Sequence, residues 1–299
     1  MFRRFGLFIL VNFLIMLMVT IVLQVLGIGN YVTQAGIDYG ALMAFCLVWG
    51  MGGSFISLWI SRWIAKKSFG IRLVDANQGG AAGEIARTVH RLAKAAGLPK
   101  MPEVGIYPSP EVNAFATGPS KSKSLVAVSE GLLRNMNQKE LEGVLAHEVA
   151  HIANGDMVTM TLIQGVVNAF VMFLARVLAF AIGQAMRNDD DESVGGGMIE
   201  FLMIIVFQIL FGILGAMVTS WFSRFREYRA DAGGARYAGR DKMVAALEKL
   251  RGTEEMVAHQ NEGMAAFKIA GGRPGGLRAL LMTHPPLENR IRALQQMKG

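Results

Sequence analysis

The sequence predicts a mainly α-helical, polytopic membrane protein with four transmembrane helices and one cytoplasmic α+β domain that holds a small sheet. Three observations carry this. Of 299 residues, 52% are hydrophobic and only 18% charged, and the mean hydropathy is +0.36, whereas a soluble domain carries roughly 25% charge. The apolar residues gather in four runs, each close to the ~20 residues that cross a ~30 Å hydrocarbon core. The polar remainder, residues 61–156 and 223–299, amounts to one domain's worth of chain. This composition excludes a disordered chain and weighs against an ordinary soluble enzyme. The net charge of +7 would point to nucleic acid in a soluble protein. Here the basic residues flank apolar runs, so no nucleic-acid partner is expected. The single cysteine, Cys46, lies inside an apolar run, which leaves no intrachain disulfide and no cysteine metal cluster.

Residues 1–60 read as a transmembrane hairpin. The first run, Gly6 to Gly27, follows Arg3 and Arg4. It is longer than the roughly 7–15 apolar residues of a signal peptide and lacks a small-residue cleavage site, so it is an uncleaved anchor. The second run, Gly40 to Ile60, is followed by Arg62, Lys66 and Lys67, and the loop between the two holds Asp38 and no Lys or Arg. Basic flanks mark the cytoplasmic side, which puts the N-terminus and the chain after residue 61 there.

Residues 61–156 form the first part of the cytoplasmic domain. Ala81 to Ala96 is a helix with an apolar stripe of Ile85, Val89, Leu92 and Ala96, stopped by Gly97 and Pro99. Glu103 to Tyr107 and Ser124 to Ser129 read as strands, and 113–118 between them is short, apolar and bounded by turn residues. Asn137 to Ala153 is a strong helix. Asn137 with Glu140 makes a capping box, Leu141, Val144, Leu145, Val149 and Ile152 form its buried face, and Asn154-Gly155 ends it.

Residues 157–222 read as a second hairpin. Run three, Met157 to Phe180, holds Gln164, Asn168 and Arg176; run four, Glu200 to Phe222, holds Gln208. The acidic stretch Asn188 to Glu192, followed by Gly195 to Gly197, suits the outer side, and Arg224, Arg226 and Arg229 suit the inner one. Arg176 and Arg187 run against this, and the alternative is an amphipathic hairpin packed on the domain. Residues 223–299 complete the domain, with helices at 224–238, 241–251 and 286–298 and a flexible loop at Gly271 to Gly276.

The chemistry lies in His147-Glu148-Val149-Ala150-His151. Histidines at i and i+4 stand one above the other on a helix face, within reach of one metal ion, and the glutamate beside them can act as a base toward water. A shuffled chain of this composition shows the pattern only about 0.004 times. A catalytic zinc takes three protein ligands, so a third must come from elsewhere. The metzincin extension needs histidine at 157, where Met157 stands. The options are His90, His259, His284 or a glutamate. Glu227 is the candidate glutamate, with Asp231 at i+4 able to accept a hydrogen bond from a ligand histidine. Read alone, this segment is equally an exposed charged helix. The topology favours the metal, because run three leaves directly after the histidine helix and run four returns directly before Glu227.

His147-Glu148-x-x-His151-x-x-Asn154-Gly155-Asp156, the four apolar runs and Glu227-x-x-x-Asp231 resemble the HtpX-type heat-shock membrane zinc metalloproteases, relatives of the CAAX prenyl endopeptidases. The resemblance covers nearly the whole chain. It implies a zincin-like (gluzincin) domain and one Zn2+ per chain on His147, His151 and Glu227, with Glu148 as catalytic base. Asp231 would orient a ligand, and His284, in Thr283-His284-Pro285-Pro286, would assist at the transition state. Asn113, Ala114, Phe115 and Ala116 would lie along the substrate cleft. The implied function is endoproteolysis of misfolded or damaged membrane proteins, as quality control under stress. The implied place is the bacterial inner membrane, multi-pass, with the protease domain and both termini cytoplasmic. The expected partners are protein substrates and the lipid bilayer; no oligomeric state is indicated. The alternative is a non-proteolytic zinc-binding membrane chaperone or adaptor, against which Glu148 speaks, since a structural zinc site needs no base. A cation transporter is disfavoured because the ligand-type residues lie outside the apolar runs.

Overall fold

The structure, a computed structural model, describes residues 14, 17–21, 23–25, 32–33, 36–186, 196–260 and 280–297. Most of run one, the acidic stretch at 188–192 and the glycine-rich loop at 271–276 lie outside the described residues. Along the chain come β1 (Val32–Thr33), β2 (Gly36–Ile37), α1 (Tyr39–Phe69), β3 (Arg72–Val74), α2 (Gly80–Ala95), β4 (Glu103–Tyr107), β5 (Ala114–Ser120) and β6 (Lys123–Ser129). After them come α3 (Glu130–Asn135), α4 (Gln138–Asn154), α5 (Asp156–Ala185), α6 (Gly196–Ala238), α7 (Arg240–Gln260) and α8 (Leu287–Gln296). The chain divides into two compact units, 1–57 with 160–219, and 58–159 with 220–299.

Among the described residues, α1, α5 and α6 are long and apolar enough to cross a membrane. Exposed Phe201, Val206, Ile209 and Leu214 on α6 make up the outward apolar surface that lipid, not water, accommodates. All three helices exceed the lengths expected from hydropathy, α5 by running on past Phe180 to Ala185. α1 runs on through Arg62, Lys66 and Lys67 to Phe69. α6 joins run four and the expected 224–238 helix into one element of 43 residues. Hydropathy marks where water begins, but a helix ends at a breaker. Residues 200–238 contain no proline, and α6 stops only where Gly239 takes φ +106°.

In the first unit, α1 and α5 approach backbone to backbone. A Cβ on Gly50 would stand 2.6 Å from Ala169 N and 2.8 Å from Gly165 O; such small residues let helices pack closely in lipid. Leu42, Cys46 and Ala169 are buried there. The polar residues of run three find partners nearby, although Arg176 Nε is buried without a hydrogen bond. Gln164 donates to Asn168 Oδ1 at 2.8 Å. The Arg176 guanidinium donates to Met172 O at 3.2 Å and lies over the Phe45 ring, 5.3 Å from its centre.

In the second unit the sheet runs β3-β4-β6-β5, with β4 and β6 parallel and the other pairs antiparallel. Residues 114–118 of that stretch thus belong to a strand, β5, which among the described residues has a ladder partner on one side only. The sheet packs through Val104, Val126 and Val128 onto Ile85 and Val89 of α2 and Leu145 and Val149 of α4. Met243, Leu247 and Ile291 close the same core from α7 and α8. This packing buries one face of α4 and leaves its other face to the site.

Candidate metal centre

The histidine helix is held at both ends. Asn137 Oδ1 accepts hydrogen bonds from the backbone N–H of Lys139 (2.9 Å) and Glu140 (3.1 Å), while Asn137 N–H donates to Glu140 Oε2 (2.9 Å). At the other end Gly155 takes φ +73°, the left-handed turn that glycine adopts without strain. Between these caps His147 and His151 stand one turn apart, with their Nε2 atoms 3.1 Å from each other.

The buried face of α6 supplies the third group. Gly233 and Gly234 let this helix press against α4: a Cβ on Gly233 would lie 2.9 Å from Ala150 Cβ, and one on Gly234 would lie 3.2 Å from His147 N. Glu227, 1% exposed, reaches both rings. Its Oε2 lies 3.4 Å from His147 Nε2 and its Oε1 lies 3.3 Å from His151 Nε2. The candidate ligand atoms of the three residues all fall within 4.8 Å of one another. Glu227 Oε2 is buried and makes no hydrogen bond, although His284 Nδ1 is 3.0 Å away. Arg290 Nη1 is 3.4 Å from the same oxygen, so this buried carboxylate sits among cationic and imidazole nitrogens, an environment that favours its charged, cation-binding form. Two imidazoles and one carboxylate are a donor set that zinc takes, so the residues fit that ion.

The outer nitrogens of both rings are spoken for. His147 Nδ1 lies 3.0 Å from Asp231 Oδ1, and His151 Nδ1 lies 2.6 Å from Asp156 Oδ2. Each carboxylate turns its ring so that Nε2 faces the centre. Asp231 is fixed in turn by Arg290, whose Nε and Nη2 donate to its two oxygens at 2.8 and 2.7 Å. Burial opposes charge on His147, yet the contacts with Asp231 and Glu227 outweigh it and raise the pKa. Burial opposes charge on His151 too, but Asp156 and Glu227 raise its pKa to about 9. Burial alone would raise Glu227; the surrounding His147, His151 and His284 instead hold it far below the carboxylate range.

A cavity of about 360 Å³ opens onto this centre. Its wall includes His147, Glu148, Glu227, His284, Asn113 and Ala114. Phe115 and Ala116 are not part of that wall. Phe115 packs against the rings of Phe69 and Tyr107 (5.3 and 5.7 Å between centres), and Ala116 packs on the core. Among the other histidines, His90 faces Pro102 O at 3.2 Å, and the side chain of His259 lies outside the described residues. Two residues escaped the sequence reading as parts of the site. Asp156 stands in the quoted motif, five residues after His151, and only the turn at Gly155 folds it back onto the ring. Arg290, 6% exposed, had no signal beyond being an arginine six residues past His284, because a buried ion pair leaves no periodicity.

Residues 81–298 match peptidase family M48. The chain is similar to the Protease HtpX homolog of Methylacidiphilum infernorum, 48% identical over 302 residues and 99% of each chain. It is also similar to Protease HtpX of Shewanella oneidensis, 50% identical over 294 residues, covering 98% of this chain and 99% of that one. The crystal structure of S. mikatae Ste24p shares the fold, with a TM-score of 0.57 at 20% identity over 84% of this chain. This chain spans 56% of that protein's length.

Proposed function

The chain belongs to peptidase family M48, and from that premise we propose that it is a zinc-dependent endopeptidase of the bacterial inner membrane that cleaves misfolded or damaged membrane proteins on the cytoplasmic side. That it is a membrane metalloprotease follows from the family and from relatives about half identical along nearly its whole length. Zinc, the inner membrane, the orientation and the substrates are the proposed part. The observation that carries the reading is the buried Glu227 carboxylate, whose Oε2 makes no hydrogen bond, facing two inward-turned Nε2 atoms, one with each oxygen, in the wall of a cavity.

In this reading His147, His151 and Glu227 hold one zinc per chain. The ion supplies a Lewis acid that polarises the scissile carbonyl and makes water nucleophilic near neutral pH. Glu148, in the cavity wall next to His147, takes the proton of the attacking water at its carboxylate and delivers it to the departing amine nitrogen. Asp231 and Asp156 keep the two imidazoles turned inward, and Arg290 keeps Asp231 in place. His284 donates a hydrogen bond to the carbonyl oxygen as charge gathers there; its open position beside Glu227 supports this role. The substrate adds to the free edge of β5 as an extra strand, with Asn113 and Ala114 at the end nearest the centre. Such pairing reads main chain rather than sequence and suits a protease for damaged proteins. The four apolar runs span the bilayer, with both termini on the cytoplasmic side. The basic flanks of runs one, two and four support this orientation.

The test is zinc content together with hydrolysis of a casein-type substrate in detergent. The expected result is that Glu148→Gln keeps one zinc and loses about 10²–10⁴-fold in rate, while Glu227→Ala loses both. Zinc retained in Glu227→Ala but lost in His284→Ala would make the site a three-histidine one. A wild-type chain that binds zinc without hydrolysing anything would instead be the non-proteolytic chaperone or adaptor.

A further inference from the structure

Two apolar helices leave their hydrophobic runs in the same order, aromatic residues interleaved with and followed by basic ones. α1 carries Trp59 and Trp63 among Arg62, Lys66 and Lys67; α6 carries Trp221, Phe225 and Tyr228 among Arg224, Arg226 and Arg229. Trp59 is 73% exposed, Trp63 51%, Trp221 58% and Phe225 56%. On α6 the aromatics fall at i, i+4 and i+7, which makes one stripe. Ser220, Ser223, Glu227, Ala230 and Asp231, all buried, occupy a different face of the same turns. Large indole and phenyl rings left open beside guanidinium groups match the headgroup layer of a bilayer, where such rings concentrate.

We infer that the aromatic stripe of α6 lies in the lipid headgroup layer, so that the metal centre works at the height of the membrane surface and takes as substrate the few residues adjoining the end of another protein's transmembrane helix. This rests on the protease reading above. Glu227 follows Trp221 by six positions, about 9 Å of helix at ~1.5 Å per residue. The headgroup layer is itself roughly 5–8 Å deep on each side. His151 precedes the first residue of α5 by five positions. An extended polypeptide covers ~9 Å in about three residues, so a chain leaving the bilayer meets the centre almost at once.

The test is a set of single-span substrates in proteoliposomes with the wild-type enzyme, all carrying one cleavable sequence. The sequence is set directly after the span, beyond a flexible Gly/Ser spacer of ~20 residues, or beyond a rigid helical spacer of the same length, which holds it ~30 Å away. The expected rate through the rigid spacer is at least tenfold below the adjoining site, with the flexible spacer in between because it can fold back. Equal rates for all three overturn the height while leaving the protease reading intact, provided soluble casein is cut. The height is also read without turnover, from a fluorophore on Tyr228→Cys, or on Phe225→Cys should the first variant not fold, in a Cys46→Ala chain. Quenching by a headgroup-labelled lipid supports the inference, and quenching by aqueous iodide alone overturns it, even if casein is not hydrolysed and the protease reading has failed.

Discussion

At His151 the nitrogen that faces the centre is selected by the nitrogen that does not. Asp156 Oδ2 sits 2.6 Å from Nδ1, which leaves Nε2 available to a metal ion and makes it more basic. Asp156→Ala is therefore expected to weaken zinc affinity by roughly 10–100-fold, with Asp156→Asn in between because its amide oxygen still accepts the Nδ1 proton. Competition with a fluorescent chelator measures this directly; unchanged affinity in Asp156→Ala would remove the residue from the site. Arg290 acts one step further out. It leaves no mark in the sequence because its partner, Asp231, lies 59 positions away.

Among the elements, α4 carries the site because α2, α6 and α7 hold it from three directions. The close passage of α6 depends on Gly234, whose added Cβ would lie 2.6 Å from Met243 Sδ and 3.2 Å from His147 N. Gly234→Val should cost about 1–3 kcal/mol by overpacking and should lower zinc content by displacing α6. Full zinc occupancy with unchanged thermal stability would show that the contact relaxes freely. α4 is tied to the other two helices by Glu142, which meets Arg91 of α2 at 2.7 Å and Lys242 of α7 at 2.8 Å. Burial would raise its pKa, but these two partners outweigh burial and hold it low. A carboxyl lowered on folding adds stability above its unfolded pKa and loses it as pH falls through the folded value. Glu142→Gln should thus melt below the wild type at pH 7, with the gap closing below about pH 4. A pH-independent gap, followed by circular dichroism in detergent, would point to packing instead of charge.

For the whole molecule, the second apolar hairpin interrupts the chain between the histidine helix and Glu227. If runs three and four span the bilayer, a reporter fused near Asp190 is external while one at the C-terminus is cytoplasmic, and alkaline phosphatase and fluorescent-protein fusions give opposite signals at the two positions. Cytoplasmic signals at both would make this hairpin non-spanning and leave the metal centre unaffected. Within run three Gln164 and Asn168 pair with each other, and Arg176 has Met172 O and the Phe45 ring while its Nε is buried without a hydrogen bond.

Much of what is local or periodic was legible in the residues alone. The capping box, the left-handed stop at Gly155, the i, i+4 histidines and the apolar runs each depend on neighbours within a turn or on a repeat along the chain. Glu227 was half legible, since its spacing allowed a ligand and equally an exposed charged helix. Tertiary packing decided what spacing could not. It buried Glu227 against two rings through the glycines of α6. It made 114–118 part of an edge strand with Phe115 turned away from the cavity, and it set Arg290 behind Asp231. A buried charge stands only where distant groups satisfy it. The identity of those groups is a property of the packed chain and not of any stretch of it.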